Sequence, residues 1–555
     1  MKNITKYIST IFILLCIQVS GLAQTVGVIT HVAGSYDEGY VLFAPVNNCD
    51  TTYLIDKCGN KVHSWFTTYA PGLDVYLLPD GTLLRSGHVA NHVFDPSGGS
   101  AGGIIQRFDW NSNLIWQYRI SDNLETQNHD ICYMPNGHIL AAVWEVITDS
   151  VAIAAGRDPN LLDTALWSAK IVELEPIGTD SAIIVWQWRL WDHLIQDFDS
   201  TKSNYGVIAQ HPELLNINYL NTPTFANKNT DWTHLNAVTY NPNLDQVMFS
   251  FHNLDEIYIV DHSTSAGQAA THSGSNHGKG GDFLYRYGNA SAYNRGSVND
   301  VKLFQQHDPE WIYEGKYAND IIIFNNGNGR PYNYYSSADI IAPPIDSNGN
   351  YIINNSAAFG PDTLVNSYGP SGGSSFYSAF MGGAQILPNG NVLVCNAING
   401  EFIELDSVQN RVWDYLNPVC NGIPITQNSP TAKNSVYRCT YYPYSYSGFN
   451  GKNFISNPIP IELDPTNLNC VLNTNSIPKI VEPNAIALFP NPADQILLIK
   501  MEGLEHIFVS DLSGKVLMSE DIHENAYNIN TKMLPPGLYI LTINKNIHKQ
   551  FMVLH

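Results

Sequence analysis

The sequence predicts an all-β protein: a six-bladed β-propeller followed by a small C-terminal β-sandwich. Three observations predict it. Across 555 residues the composition is 44% hydrophobic and 11% aromatic but only 14% charged, with 41 Gly and 31 Tyr, a profile of strands and turns rather than helices. One pattern then returns between residues 30 and 450, a strand ending in an acidic residue, a turn, and an apolar run to Trp or Tyr. Finally, the segment from residue 485 onward alternates apolar strands with Pro and Gly turns, as a small sandwich does.

Residues 1–24, MKNITKYISTIFILLCIQVSGLAQ, have the three parts of a secretory signal. Lys2 and Lys6 precede an apolar run over 8–19, and Gly21, Leu22 and Ala23 form a small-residue cleavage site. The run is shorter than the roughly 20 residues a spanning helix needs, and no later stretch is long enough, so no transmembrane segment is expected. Leu15 stands before Cys16 where a lipoprotein signal needs a small residue. Export permits disulfides. Cys16 leaves with the signal, and Cys49, Cys58, Cys132, Cys395, Cys420, Cys439 and Cys470 remain, an odd set with at least one unpaired thiol. Cys49 and Cys58 flank the strand-like TTYLIDK and are candidates for a bridge; Cys420, Cys439 and Cys470 offer another pair. Connectivity is not readable from spacing. No CxxC exists to support a thiolate zinc site. A net charge of −22 repels phosphate backbones and argues against nucleic-acid binding.

Residues 25–460 carry the repeat. YLIDKCGNKVHSW ends at Trp65, IIQRFDWNSNLIWQY carries Trp116, and KIVELEPIGTDSAIIVWQW ends at Trp188. EIYIVDHS leads through an insertion to GDFLYRYGN, ADIIAPPIDSNGNYI follows, and EFIELDSVQNRVWDY carries Trp413. A second hairpin recurs as LLPDGTLL, MPNGHIL and LPNGNVLV, with the Pro-Asn/Asp-Gly triplet at the turn. Such a unit cannot bury both faces alone, and a ring of blades supplies the neighbour. The large aromatics are expected to pack between blades. Residues 461–484 read as a linker.

Four histidines lie in polar blocks that interrupt the strands: His129 in QNHDICY, His234 in DWTHLNAV, His252 in MFSFHNLDE and His307 in KLFQQHDPEW. They fall on at least three successive repeats, so one ring can bring them to a common channel. His262, His272 and His277 sit in or beside STSAGQAATHSGSNHGKGG, expected as a flexible loop whose spacing matches no standard ligand pattern.

DWTHLNAVTYN, LDQVMFSFHN, EIYIVDHS, GDFLYRYGN, QQHDPEW, LPNGNVLV and RVWDYLNP, in that order, resemble the bacterial arylsulfate sulfotransferase family over residues 40–455. The resemblance implies a six-bladed propeller with a central channel. It implies transfer of a sulfuryl group from a phenolic sulfate ester to a phenol, with no nucleotide sulfate donor, cofactor or metal. By motif, His307 matches the nucleophile that becomes transiently sulfated. His234 and Asn236 match a polar pair that contacts the sulfuryl group and assists proton transfer, and His129 matches an active-site histidine of an earlier blade. Ser378, in SSFYSAF, lies where the family has a small hydroxyl residue. At His252 the family has an arginine. Arginine is always charged, whereas histidine is charged only below about pH 6.5, so the departure bears on oxyanion binding and on the pH optimum. Arg438, in VYRCTYY, matches a late motif. The final unit, with FPNPA, DLSGKVL and LPPGLYIL, resembles the C-terminal sorting domain of the type IX (Por) secretion system. That resemblance implies the type IX machinery as a partner and passage across the outer membrane to the surface or medium.

The chemistry is coherent. Sulfuryl transfer, like phosphoryl transfer, depends on positioning and charge stabilisation at a tetrahedral centre. A neutral imidazole attacks sulfur and divides the reaction into two steps. Asp308 is the expected orienter of His307, His234 the proton donor and acceptor, and His129, His252 and Asn236 the sulfate-binding groups. Two other readings stand beside it: a surface adhesion or binding propeller without catalysis, and a metal-dependent hydrolase or lyase with the four histidines as ligands.

Overall fold

The computed structural model describes residues 24–94, 102–162, 165–219, 230–346, 349–354, 356–369, 375–466, 470, 472 and 487–554, except 490, 492, 501–503, 512–514, 523, 525 and 545–546. The signal segment before Gln24 and linker residues 473–484 lie outside the described residues. Contacts divide the chain into two compact units, Met1–Leu472 and Asn473–His555.

Among the described residues, the first unit contains six antiparallel sheets with four strands or more each, beside two short two-stranded sheets, Leu194–Ile195 with Leu215–Asn216 and Val419–Cys420 with Ile423–Pro424. Sheet 1 comprises Pro71–Leu77, Leu83–His88, Gly103–Phe108 and Leu114–Arg119; sheet 2 comprises Glu125–Tyr133, Ile139–Thr148, Ala165–Ile177 and Ser181–Arg189. Sheet 3 comprises Leu235–Asn241, Gln246–Phe251, Glu256–Asp261 and Tyr285–Tyr287; sheet 4 comprises His307–Trp311, Ile321–Asn325, Ser337–Ile341 and Asn366–Tyr368. Sheet 5 comprises Gly383–Ile386, Val392–Asn396, Glu401–Leu405 and Arg411–Leu416, with Gly27–His31 added along its outer edge. Sheet 6 joins the two ends of the unit: Val436–Pro443 pairs with Gly39–Pro45, followed by Thr51–Asp56 and Lys61–Phe66. The first strands of the sheets touch in the order 1, 2, 3, 4, 5, 6 and back to 1.

The repeated acidic residue has a local job. Asp56, Asp109 and Asp406 end a third strand, and Oδ1 of each accepts the backbone N–H groups two and four residues on. Oδ2 accepts from the side-chain amide of Asn60, Asn113 or Asn410. This Asx geometry closes the turn into the fourth strand. The Trp that follows then locks one sheet to the next. Trp65, Trp116, Trp188 and Trp413 are all buried. Their indole N–H groups donate to Asp109 O (3.1 Å), Ser181 O (2.9 Å), Gly281 O (2.7 Å) and Lys57 O (2.7 Å), each on the neighbouring sheet or its loops. A buried indole thus supplies apolar area and satisfies its one donor at the same contact.

The disulfide differs from both candidates. Cys58 is bonded to Cys470, while Cys49, Cys420 and Cys439 are free thiols. The reason is tertiary: the chain after sheet 6 runs back along the Cys58–Lys61 turn, with Lys61 N–H donating to Ile459 O at 2.9 Å. Cys49 is buried and directs its S–H to Thr51 O.

In the second unit, Ala487–Phe489, Ile496–Lys500 and Ala526–Asn530 form one sheet, and Val516–Asp521, His506–Ser510, Gly537–Ile543 and Ile547–Val553 form another. They share a core that includes Leu497, Ile499, Ile507, Val509, Leu541 and Phe551.

Candidate active site

The four histidines meet at the start of the first strands. His129 lies on the first strand of sheet 2, His234 immediately precedes that of sheet 3, and His307 opens that of sheet 4. His252 begins the short 3-10 turn His252–Leu254 after the second strand of sheet 3. Their rings form a chain with centroid separations of 4.6 Å (His129–His234), 4.9 Å (His234–His252) and 5.3 Å (His252–His307). Tyr437, from sheet 6, lies 6.3 Å from His129 and 6.5 Å from His307. His129 and His234 have left-handed backbones (φ 48° and 54°), as do Asp308 (52°) and Met381 (57°) beside them. Such conformations cost about 1–3 kcal/mol each and persist where surrounding packing enforces them, commonly at functional sites.

The hydrogen bonds assign the ring protons. Asn326 donates from Nδ2 to Ser378 O (2.8 Å) and Met381 O (2.7 Å), so its Oδ1 must face His307 Nδ1, 2.8 Å away. His307 therefore carries its proton on Nδ1 and presents the Nε2 lone pair, toward which Met381 N–H points at 3.3 Å. The same logic recurs at two more rings. Asn128 donates to Leu235 O and accepts from His129 Nδ1; Asn253 donates to Asp231 O and accepts from His252 Nδ1. His234 directs Nδ1 to the Asp231 carboxylate. Burial holds His307 neutral by lowering its pKa to about 3, against the opposing pull of Asn326. Burial and the neighbouring imidazoles push His129 and His252 down as well.

Beneath the rings lies a buried layer of opposite charges. Arg438 pairs with Asp308 through Nε (2.9 Å), with both oxygens of Asp130 (3.2 and 3.0 Å), and lies 3.7 Å from Asp74. Burial raises the pKa of Asp308 to about 6 and that of Glu310 to about 8, and pushes Asp74 well up. On its far side a cavity of about 710 Å³ opens, lined by Tyr76, Glu310, Tyr313, Gln385 and Tyr441 as well as Asp308 and Arg438.

Several sequence expectations take new form. Asp308 does not orient His307; its carboxylate turns to Arg438, and Asn326, from the end of the second strand of sheet 4, holds the ring instead. Arg438 is occupied by carboxylates and does not replace the family arginine at His252. Ser378 is buried, its hydroxyl donating to Phe380 O and accepting from Ile398 N–H, and it reaches His307 through its carbonyl on Asn326. Asn236 donates to Gln306 O at 2.8 Å, tying sheet 3 to sheet 4, and among the described residues its buried Oδ1 has no partner. Sequence reasoning missed Asn128, Asp231, Asn253, Asn326 and Tyr437. Asn128 and Asn253 adjoin their histidines and were visible as Asn-His and His-Asn pairs; Asn326 lies 19 residues from His307 and carries no local signal. Among the described residues, the His/Cys/Asp/Glu groups of three with ligand atoms within 4.8 Å of one another are His31–Cys58–Cys470 and His193–His272–Asp282, neither of which includes a cluster histidine.

A family model described as Arylsulfotransferase (ASST) matches residues 44–438, and one described as Secretion system C-terminal sorting domain matches residues 487–553. That tail marks delivery by type IX secretion to the cell surface or the medium. Among the described residues no helix is long and apolar enough to cross a membrane. No curated protein matches the chain. Similar solved structures include a protein of unknown function from Bacteroides caccae (9% identity, TM-score 0.38, covering 73% of this chain and 98% of that one). A putative 6-phosphogluconolactonase from Bacteroides fragilis is 10% identical with TM-score 0.32, covering 74% and 99%. The periplasmic gluconolactonase of Pseudomonas aeruginosa is 10% identical with TM-score 0.34, covering 89% and 99%. At these scores the likenesses carry no argument about activity.

Proposed function

The chain belongs to the arylsulfotransferase family, and from that premise we propose that it is an exported arylsulfate sulfotransferase working through a transient sulfohistidine at His307. The six sheets are read as six blades closed into a propeller, a reading supported by the cyclic order of first-strand contacts and by sheet 6 uniting the ends of the unit. The observation that carries the mechanism is the neutral His307, its proton held at Nδ1 by an anchored Asn326 and its Nε2 lone pair facing Met381 N–H.

In the first step His307 Nε2 forms a bond to sulfur while the bond from sulfur to the phenolic oxygen breaks. The departing phenolate takes a proton from His234, which Asp231 supports from behind. In the second step His234 takes the proton of the acceptor phenol, whose oxygen attacks sulfur and releases His307. Met381 N–H, aimed at Nε2, is a donor for the sulfuryl oxygens, and Asn236 Oδ1 is an acceptor for a phenolic hydroxyl. With His252 in place of an arginine and Arg438 committed to carboxylates, no fixed positive charge among the described residues serves the sulfate. In their neutral forms His129 and His252 present lone pairs, not donors, so an anionic ester enters together with a proton on this cluster.

The test is release of nitrophenol from p-nitrophenyl sulfate with and without a phenol acceptor, using the mature chain, His307→Asn and a chelator-treated sample. Acceptor-dependent release that survives chelation and is lost in His307→Asn is expected. No release by the folded protein at any pH refutes the transferase reading and favours a binding propeller; loss on chelation that also occurs in His272→Ala, with the fold retained, refutes the metal-free scheme.

A further inference from the structure

A second histidine cluster lies outside the proposed transfer site. His193, in the segment between sheets 2 and 3, is fully buried and stacked on Trp188, with ring centroids 5.6 Å apart and planes 1° from parallel. Its Nε2 lies 2.8 Å from Ala269 O and so must donate there. Its Nδ1 faces Asp282 Oδ1 at 2.7 Å. His272, on the loop between the third and fourth strands of sheet 3, brings its own Nδ1 to the same oxygen at 2.8 Å. The two imidazoles stand at 88°, with centroids 5.9 Å apart. The ligand-type atoms of all three residues lie within 4.8 Å of one another.

We propose that His193, His272 and Asp282 bind a borderline divalent transition-metal ion, with zinc as the type, that clasps the 262–284 loop to the segment preceding sheet 3. Two imidazole nitrogens and one carboxylate oxygen are the donor set that zinc takes when one position stays open to solvent. The contact from His193 Nε2–H to a backbone carbonyl is the outer support that metal-bound histidines have, fixing Nδ1 as the ligating atom. His272 is 61% exposed, which leaves an entry path and the open position. The local chain makes room for the ring: a Cβ on Gly281 would lie 2.7 Å from His193 Nε2, and Gly281 O also receives the Trp188 indole N–H. With metal bonds of about 2.0–2.1 Å, tetrahedral ligands sit about 3.3 Å apart. The present nitrogen–oxygen contacts are hydrogen-bonded distances, so loading requires an opening of about 0.5 Å, which the exposed His272 side chain can provide. Spacing along the chain hides the cluster, because His193 is 89 residues from Asp282.

The proposal stands apart from the transferase reading and is tested without activity. Mature full-length protein is stripped with a chelator and titrated calorimetrically with Zn²⁺, and with Co²⁺ for its tetrahedral absorption bands, beside His272→Ala and Asp282→Asn. One Zn²⁺ per chain in the parent, at least tenfold weaker binding in His272→Ala, and a zinc-induced rise in unfolding midpoint confined to the parent are expected. His272→Ala alters an exposed side chain and keeps the variant series readable if Asp282→Asn fails to fold. Zinc binding equal in the parent and His272→Ala, or none tighter than about 0.1 mM, where binding contributes about 5–6 kcal/mol, overturns it.

Discussion

Replacing Arg438 by Met tests the buried charge layer directly. In the parent one guanidinium serves Asp308 and both oxygens of Asp130, with Asp74 3.7 Å away, all of them buried. Removing one partner of a buried ion pair costs about 3–5 kcal/mol, because the remaining charge is left in a low-dielectric interior. Here two carboxylates lose their partner, so at pH 8 the loss should reach the upper end, about 5 kcal/mol. The deficit should shrink on acidification. Arg438 lowers the pKa of Asp308 against the burial that raises it, so the variant binds more protons in its folded state than the parent does. The stability of the variant relative to the parent therefore rises as pH falls from 8 toward about 6, where Asp308 titrates in the parent, and levels off below that value. Urea unfolding followed by tryptophan fluorescence reports the first unit alone, since all 11 tryptophans lie between residues 65 and 413. Arg438→Lys keeps the charge but loses the fork and should recover part of the deficit. A Met variant as stable as the parent at pH 8, or a deficit that stays constant between pH 5 and pH 8, refutes the picture of Asp308 drawn toward its ionised form by Arg438.

Other outcomes follow from the same contacts. Asn326→Leu removes the nearer acceptor of His307 Nδ1–H, leaving Gln305 O at 3.2 Å, and takes a donor from Met381 O; at about 1–3 kcal/mol per buried unsatisfied group, kcat for aryl sulfate should fall about 10- to 100-fold with little change in KM. An unchanged kcat would falsify the orienting role. KM for an aryl sulfate should rise as pH increases from 6 to 8, by about tenfold per unit for one proton taken up with the anion, since burial depresses the free pKa values of His129 and His252. A flat KM across that range rules out proton-coupled binding. Cys58→Ser opens a link that spans 412 residues of sequence and should cost about 2–4 kcal/mol in the tryptophan-monitored transition, with the parent matching the variant once reduced.

The repeat was legible because its signals are local. An Asp that accepts amides two and four residues ahead, and an Asn that returns to its other oxygen, form a turn whatever the rest of the chain does. The Pro-Asn-Gly hairpins are equally local: Met134 N–H meets His138 O, and Leu387 N–H meets Asn391 O. The four histidines were visible as polar breaks in apolar strands, and the chain brings their rings together. Their supporting groups were less visible. Asp308 adjoins His307 and was the natural orienter by adjacency, but a left-handed backbone at Asp308 interrupts the strand there, and its carboxylate meets Arg438 instead.

The sequence by itself determined the strand-and-turn repeat and the type IX tail, because each depends on side chains a few residues apart, and it offered four histidines as candidates. Tertiary structure alone decided that Gly39–Pro45 and Val436–Pro443 share sheet 6, that Cys58 meets Cys470, that Asn326 sets the proton on His307, and that His193 faces Asp282. Each of those pairs is separated by 19 to 412 residues and meets because strand pairing and the burial of apolar faces bring distant segments together. That burial is non-directional in origin, and only the packed fold specifies which distant atoms it brings within hydrogen-bonding reach.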